Sequence, residues 1–167
     1  MENATIEKKK TVVDAAITPE ALLAQWQGHR RLTRKMIEAF PEKELFNYSV
    51  GGMRPFAELV LEMLSMATPG IKGVVTNEWK SFAEGQPKPT SKEELLKLWD
   101  ETTENLNELW PKITPQRFQE TVLSFGLYEG PVYWVIFYFI DNEIHHRGQG
   151  YVYLRSLGIE PPPFWER

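Results

Sequence analysis

The sequence predicts an all-α fold, a four-helix bundle, from three observations. Four long segments carry apolar residues at helical spacing, start and stop residues lie at their ends, and no convincing alternating strand pattern is present. Of the 167 residues, 42% are hydrophobic and 25% are charged, as in an ordinary globular domain that can bury a core. We expect one domain over residues 18–167, preceded by a flexible polar arm at residues 1–17.

The first predicted helix has clear ends. Thr18 is suited to cap it, Pro19 to occupy its first position and Glu20 to favour its first turn. Pro41 ends the helix. Apolar side chains recur along it at Leu22, Trp26, Leu32, Met36 and Phe40.

The second helix is expected to begin near residues 53–55, after a turn at Ser49-Val50-Gly51-Gly52. Its apolar face continues to Ala67. Pro69-Gly70 should interrupt it, because proline lacks a backbone N–H and clashes with the preceding turn. Residues 71–82 would then form a further helical piece that is kinked or offset.

The third helix should be capped by Thr90 or Ser91, with Glu93 or Glu94 completing a capping box, and Pro111 should end it. Residues 115–130 are predicted to be irregular, with residues 122–125 either a short strand or an extended connection. The fourth helix should start at Gly130-Pro131 and run to about Leu157, where Gly158 is a natural C-cap.

Composition excludes several classes of function. A net charge of -4, with no Lys/Arg cluster of the kind that forms a DNA-binding patch, argues against nucleic-acid binding. The absence of cysteine excludes disulfides, thiolate metal sites and a cysteine nucleophile. The polar start is not a signal peptide, and the longest apolar run, residues 132–140, is too short to span a bilayer. We therefore expect a cytoplasmic protein without a membrane segment.

The most informative stretch is residues 141–150, a run of polar groups within the last helix. Residues four apart share a helix face, so Asn142 points with His146 and Asp141 points with His145. Buried polar groups need partners. One of these two faces is therefore a candidate site.

This stretch resembles the C-terminal signature of the DinB/YfiT-like family, through residues 142–149, residues 153–158 and Pro161-Pro162. The opening of the second helix, residues 54–59, is a looser match. The resemblance covers nearly the whole chain. It implies a four-helix bundle, usually a homodimer, that holds a divalent metal between helices.

The family pattern uses three histidines, one on the second helix and two, four residues apart, on the last. By that resemblance, this chain has Glu62, Asn142 and His146 at the three positions. They could hold nickel, zinc, manganese or iron with a preference shifted toward harder ions, because an amide oxygen is a weak ligand. Alternatively, Glu62 bonds His146 and Asn142 completes a metal-free polar network.

Neighbouring polar residues have two readings each. Glu143 and His145 are expected to be surface or dimer-contact groups, and alternatively belong to the site. Arg147 could clamp a substrate carboxylate, but an ion pair with Glu143 is the simpler expectation. His29 could approach the site, and an ordinary half-buried histidine is the alternative.

Two structural expectations concern the same helix. Gly148 and Gly150 are costly in a helix, which suggests close approach of another helix, and Gln149 could cap or bridge there. The aromatic stripe could wall a pocket, although core and subunit interface are the simpler interpretation; its members are Tyr133, Trp134, Phe137, Tyr138 and Tyr151.

Two function classes follow from the resemblance. The first is a metal-dependent enzyme, either an S-transferase that uses a low-molecular-weight thiol or a hydrolase, in which the metal lowers the pKa of bound thiol or water. The second is a non-catalytic dimeric bundle, a stress or binding protein with a degenerate metal site. The family's damage-inducible name also suggests DNA binding, which the charge opposes.

Overall fold

Four long helices form the body of the protein, as the sequence predicts. A computed structural model describes residues 17–80 and 88–167. Five α-helices lie in these residues: α1 (Pro19–Ala39), α2 (Glu42–Asn47), α3 (Phe56–Thr76), α4 (Lys92–Leu109) and α5 (Val132–Ser156). The long helices pack in a ring, because α1 and α3 each contact both α4 and α5. The predicted arm lies outside the described residues except for Ile17 and stays a prediction.

The predicted helix caps are present. The Thr18 hydroxyl accepts a hydrogen bond from the backbone N–H of Ala21 at 3.2 Å, and Ser91 does the same for Glu94 at 3.2 Å. Glu94 reaches back to the backbone N–H of Thr90 at 2.7 Å. Gly158 follows α5 with a positive φ of 74°, where glycine is free of the strain other residues would have.

The predicted interruption at Pro69 is wrong, because α3 continues through it to Thr76. Proline removes only the hydrogen bond to the Ser65 carbonyl, while the flanking residues Ala67, Ile71 and Val74 are buried in the core. Gly70 lets the Phe139 ring lie where a Cβ would be, 2.4 Å from the nearest ring atom. Packing on both sides therefore outweighs one lost hydrogen bond. Residues 77–80 are not helical, and 81–82 lie outside the described residues.

Among the described helices, α3 alone is long and apolar enough to cross a membrane. More than half of its most apolar stretch is buried, at 56%. It packs against both α4 and α5, so its composition is also that of the central helix of a bundle.

The chain between α4 and α5 forms a β-hairpin in the region predicted to be irregular. Strands β1 (Thr121–Ser124) and β2 (Tyr128–Pro131) pair antiparallel, with Thr121 opposite Pro131. Two turn residues have positive φ, Phe125 at 53° and Gly126 at 71°. A phenylalanine is unusual there; its ring packs on Trp79 with a centroid separation of 5.1 Å.

The core consists of two apolar clusters at opposite ends of the bundle. One contains Trp26, Ile71, Trp110 and Ile136, and the other contains Met36, Phe56, Trp99 and Leu154. Several polar side chains are buried between these clusters: His29, Arg30, Thr33, Glu143, His146 and Arg147. These buried polar residues therefore form a layer across the middle of the bundle.

Two expectations about α5 need correction. The aromatic stripe is not core in this chain, because Tyr133, Trp134, Phe137 and Tyr138 are 37% to 51% exposed. Gly150 does allow close approach, since a Cβ there would lie 2.5 Å from the Phe56 ring. Among the described residues, a Cβ on Gly148 would meet nothing within 4 Å, so none of the described helices packs closely on that residue.

Candidate functional site

Side chains from α3 and α5 form a polar cluster around Glu62. Its Oε1 atom lies 2.9 Å from Nε2 of His146 and accepts a hydrogen bond from Nδ2 of Asn142 at 3.2 Å. Asn142 and His146 are one turn apart on α5, so both face α3. Of the three residues assigned by the resemblance, Asn142 and His146 therefore both contact Glu62.

Arg54 completes the surroundings of this carboxylate. Its guanidinium forms an ion pair with Oε2 of Glu62, and its backbone carbonyl accepts a hydrogen bond from the Tyr153 hydroxyl at 3.0 Å. Arg54 lies just before α3, in the segment that the sequence marked only as the opening of a helix. Its role was missed because the side chain must reach along two helical turns to Glu62.

The cluster favours the charged form of Glu62. Burial alone would raise the pKa of this carboxyl group, but hydrogen bonds from His146, Arg54 and Asn142 together lower its pKa to about 2. At neutral pH the side chain is a carboxylate whose two oxygens both have hydrogen-bond donors. A further cation would therefore add little stabilisation to the Glu62 carboxylate.

Gln149 connects the two adjacent histidines. Its Oε1 atom lies 3.0 Å from Nδ1 of His146, and its Nε2 atom lies 3.3 Å from Nε2 of His145. His146 is buried, whereas His145 and Asp141 are exposed. Both ring nitrogens of His146 thus face protein groups. Gln149 bridges two residues of its own helix, and not α5 to another helix as we expected.

The donor set can be tested against a metal ion. Glu62, Asn142 and His146 would supply one anionic oxygen, one amide oxygen and one imidazole nitrogen, and Arg54 already neutralises the only anion. No group of three or more His, Cys, Asp or Glu with metal-binding geometry occurs among residues 17–80 and 88–167. These residues do not fit a tight transition-metal centre, which needs anionic or unpaired donors.

A second polar cluster lies deeper, between α5 and α1, and is centred on Glu143. One carboxylate oxygen accepts from Nε1 of Trp26 at 3.1 Å, and the other accepts from the Thr33 hydroxyl at 2.7 Å. Glu143 is only 2% exposed. The expectation of a surface or dimer-contact role for Glu143 is therefore wrong.

Two buried arginines flank this carboxylate. Arg30 lies 3.9 Å and Arg147 lies 3.7 Å from Glu143, so the expected ion pair within α5 is present. Arg30 also donates to the Trp99 carbonyl at 2.9 Å and stacks on the Trp99 ring. Burial lowers the pKa of Arg30 to about 10, and the Glu143 charge opposes that shift, so it stays cationic at neutral pH.

His29 belongs to this deeper cluster and not to the Glu62 site. Its Nδ1 atom lies 3.0 Å from Arg147, and its Nε2 atom lies 3.2 Å from Arg167. Burial and these two cations lower the pKa of His29 to about 4. It is 6% exposed, more deeply buried than the half-buried histidine we expected, and it is neutral at neutral pH.

Trp26, Arg30 and Thr33 belong to this polar cluster although the sequence did not predict it. A signal was present, since Arg30 and Thr33 are spaced four and seven residues after Trp26 on the apolar face of α1. An arginine and a hydroxyl on an otherwise apolar face indicate a buried acceptor, and a carboxylate suits both. The partner is Glu143.

Comparison with known proteins agrees with this architecture. The model of the DinB family matches residues 8–167. A DinB-like protein from Bacillus subtilis superposes with a TM-score of 0.72 at 19% identity, covering 87% of this chain and 99% of that one. A DinB-like protein from Bacillus cereus has a TM-score of 0.66 at 21% identity, covering 86% and 95%.

A more distant structure shares the fold. A mycothiol-dependent maleylpyruvate isomerase variant superposes with a TM-score of 0.58 at 13% identity, covering 80% of this chain and 61% of that one. No curated protein is similar enough to this chain to add to these comparisons. Because the family model spans nearly the whole sequence and the fold agrees, this chain belongs to the DinB family.

Proposed function

We propose that this protein is a non-catalytic DinB-type binding protein in which a metal-free network occupies the position of the family's metal centre. The observation that carries the proposal is the saturation of Glu62. His146 and Asn142 contact one oxygen, and Arg54 contacts the other. The network ties α3 to α5 and leaves no free anionic donor.

Charge balance supports this reading. A divalent cation beside Glu62 would lie close to the Arg54 guanidinium, and like charges at such distances repel. It would also have to displace the contact between Glu62 and His146. A single carboxylate offers little compensation for both losses, so we expect weak metal binding at most.

A metal-dependent enzyme is the second candidate, and one observation favours it. Oδ1 of Asn142 is buried and has no hydrogen-bond partner in the part of the chain that the structure describes. An amide turned by half a rotation would present this oxygen to Glu62 and His146. In that case Glu62, Asn142 and His146 would hold nickel, zinc, manganese or iron. The ion would lower the pKa of a low-molecular-weight thiol or of water, giving an S-transferase or a hydrolase.

Metal analysis distinguishes the candidates. The protein is purified without an affinity-metal column, incubated with nickel, zinc, manganese or iron(II), desalted and analysed for metal by mass spectrometry. We expect substoichiometric metal that is equal in the wild type, in His146→Ala and in His145→Ala. The last variant is the matched control, because it removes an exposed imidazole next to the network.

About one equivalent of metal that is lost in His146→Ala and kept in His145→Ala would overturn the metal-free proposal. Arg54→Gln sharpens the test, since it removes the competing cation. If Arg54→Gln gains a metal that the wild type lacks, Arg54 is the group that keeps the site metal-free. The second candidate would instead show bound metal already in the wild type.

We also propose that the protein is a homodimer that uses the outer face of α5. Tyr133, Trp134, Phe137 and Tyr138 form an exposed aromatic patch, and contiguous exposed apolar surface is typical of protein interfaces. Sedimentation at micromolar concentration should give a dimer that Trp134→Glu dissociates. Met53→Glu, at an exposed apolar residue before α3, is the control, and a wild-type monomer would overturn the proposal.

A further inference from the structure

A groove runs along a face of α5 that is different from the face carrying Asn142 and His146. Its floor is formed by α5 residues at helical spacing, namely Arg147, Gly148, Tyr151 and Arg155, and its wall is the C-terminal segment, residues 160–165. The groove has a volume of about 410 Å³. That is enough for a small organic molecule.

The C-terminal wall is held in place by contacts with α5 and α1. The Tyr151 hydroxyl donates to the Pro162 carbonyl at 2.7 Å. Further along, Lys35 donates to the Glu166 carbonyl at 3.3 Å, and the side chain of Arg167 packs against Gly28. The groove is therefore a formed feature of the fold.

The groove is positively charged although the protein is acidic overall. Arg147 and Arg155 line it against one acid, Glu160, whereas the whole chain has a net charge of -4. Arg155 makes no ion pair with any residue that the structure describes. Arg147 is fixed by the Thr33 hydroxyl at 3.1 Å and by His29 at 3.0 Å, so its position does not have to be ordered when a ligand binds.

The electrostatic influence of the two arginines converges on Tyr151. Burial raises the pKa of the Tyr151 hydroxyl, and the charges of Arg147 and Arg155 act in the opposite direction. Both arginines line the same groove as this hydroxyl. A negative group placed in this part of the groove would be attracted to both of them.

Gly148 gives the groove an open floor. Glycine inside a helix is less favourable than alanine, and at Gly150 this cost is offset because the Phe56 ring occupies the space of the missing side chain. Gly148 has no such packing within residues 17–80 and 88–167, since a Cβ there would meet none of their atoms within 4 Å. The absence of a side chain at Gly148 therefore leaves space in the groove.

We propose that this groove binds a small carboxylate that carries an aromatic ring. The carboxylate would pair with Arg155 and approach Arg147, because guanidinium groups recognise carboxylates through charge-assisted hydrogen bonds. The ring would lie over Gly148, between Tyr151 and the exposed indole of Trp165, which is 68% exposed. This groove is separate from the Glu62 network, so the binding of a carboxylate here does not depend on whether Glu62, Asn142 and His146 bind a metal.

Titration with phenylacetate, followed by heteronuclear NMR, tests the proposal. We expect saturable shifts of the Gly148 and Tyr151 amide signals and of the Trp165 indole N–H. Phenylacetamide has the same ring without the charge, and acetate has the charge without the ring, so both should bind more weakly. Shifts at α3 and His146 would place the ligand in the other site and overturn the assignment.

Two variants test the roles of charge and space. Arg155→Gln should weaken phenylacetate binding about fivefold, the upper end expected for an exposed charge pair. Lys97→Gln removes one positive charge from an exposed position on α4, 76% exposed, and should leave binding unchanged. Gly148→Ala should weaken binding while raising the melting temperature, because alanine favours the helix.

Three results would overturn the proposal. The first is equal affinity for phenylacetate and phenylacetamide. The second is equal weakening by Arg155→Gln and Lys97→Gln, which would indicate a general charge effect. The third is unchanged phenylacetate affinity in a folded, more stable Gly148→Ala protein, since the ring would then not lie over residue 148.

Discussion

Replacing Glu143 by glutamine should destabilise the protein strongly, although the two side chains have nearly the same shape. The carboxylate accepts hydrogen bonds from Trp26 and Thr33. It also lies within 4 Å of the guanidinium groups of Arg30 and Arg147. All of these groups lie in the buried polar layer, so the substitution leaves two buried cations without their counterion.

The magnitude follows from these contacts. Removing one member of a buried ion pair costs about 3–5 kcal/mol, because the remaining charge stays desolvated. The glutamine oxygen can still accept one of the two hydrogen bonds, so the lower end, about 3 kcal/mol, is expected for Glu143→Gln. For a domain of this size that corresponds to a fall in melting temperature of roughly 6–12 °C.

Urea denaturation followed by circular dichroism measures the change in the free energy of unfolding. Asp141→Asn is the matched control, because it removes a carboxylate from an exposed position two residues earlier on α5. It should change stability by less than about 0.5 kcal/mol. If Glu143→Gln costs less than about 1 kcal/mol, the buried arginines do not depend on this carboxylate, and the reasoning in terms of charge compensation is refuted.

Three further predictions concern pH and packing. Because the pKa of Glu62 is about 2, below its ordinary value of 4.5, it contributes stability above pH 4.5 that is lost as the pH falls toward 2, and Glu62→Gln should lack this loss in acid denaturation curves. The pKa of His29 is lowered from 6.5 to about 4, so on acidification the unfolded chain takes up a proton before the folded protein does. The free energy of unfolding should therefore decrease as the pH falls from 6.5 to about 4. His29→Gln should remove this decrease, and an unchanged pH profile in the variant would contradict the prediction. Gly150→Ala should cost about 1–3 kcal/mol by thermal unfolding, because its Cβ would overlap the Phe56 ring, and a neutral result would show that Phe56 can move aside.

Local sequence signals predicted most of the fold. Thr18, Ser91 and Gly158 mark helix ends because they act through their own neighbouring backbone, and such signals need no knowledge of the rest of the chain. Pro69 failed as a signal for the opposite reason: whether a helix continues through proline depends on what packs around it. The short helix α2 and the strand β2 were not predicted, and β1 was only one of two alternatives for residues 122–125, because these elements are stabilised by contacts with other parts of the chain.

The candidate site was predictable only as far as it depends on local helical spacing. Helical spacing brought Asn142 and His146 onto one face, and the family resemblance supplied Glu62. Arg54 could not be found in this way, since it lies outside the helix and reaches Glu62 with a long side chain. The sequence placed Glu143 on a flank of the site and could not say whether that flank meets solvent or another helix.

The last helix explains why a simple inside–outside pattern failed here. Asn142 and His146 face α3, Glu143 faces α1, and Gly148 faces the C-terminal segment, so polar and small residues are needed on three sides of α5. Arg147 joins two of these sides, because it pairs with Glu143 and also lines the groove. Glu143 therefore has a second effect: it partly neutralises the cation that a ligand in the groove would meet. In Glu143→Gln, if the protein remains folded, phenylacetate should bind more tightly than in the wild type, whereas a merely structural role for Glu143 would leave binding unchanged or weaken it.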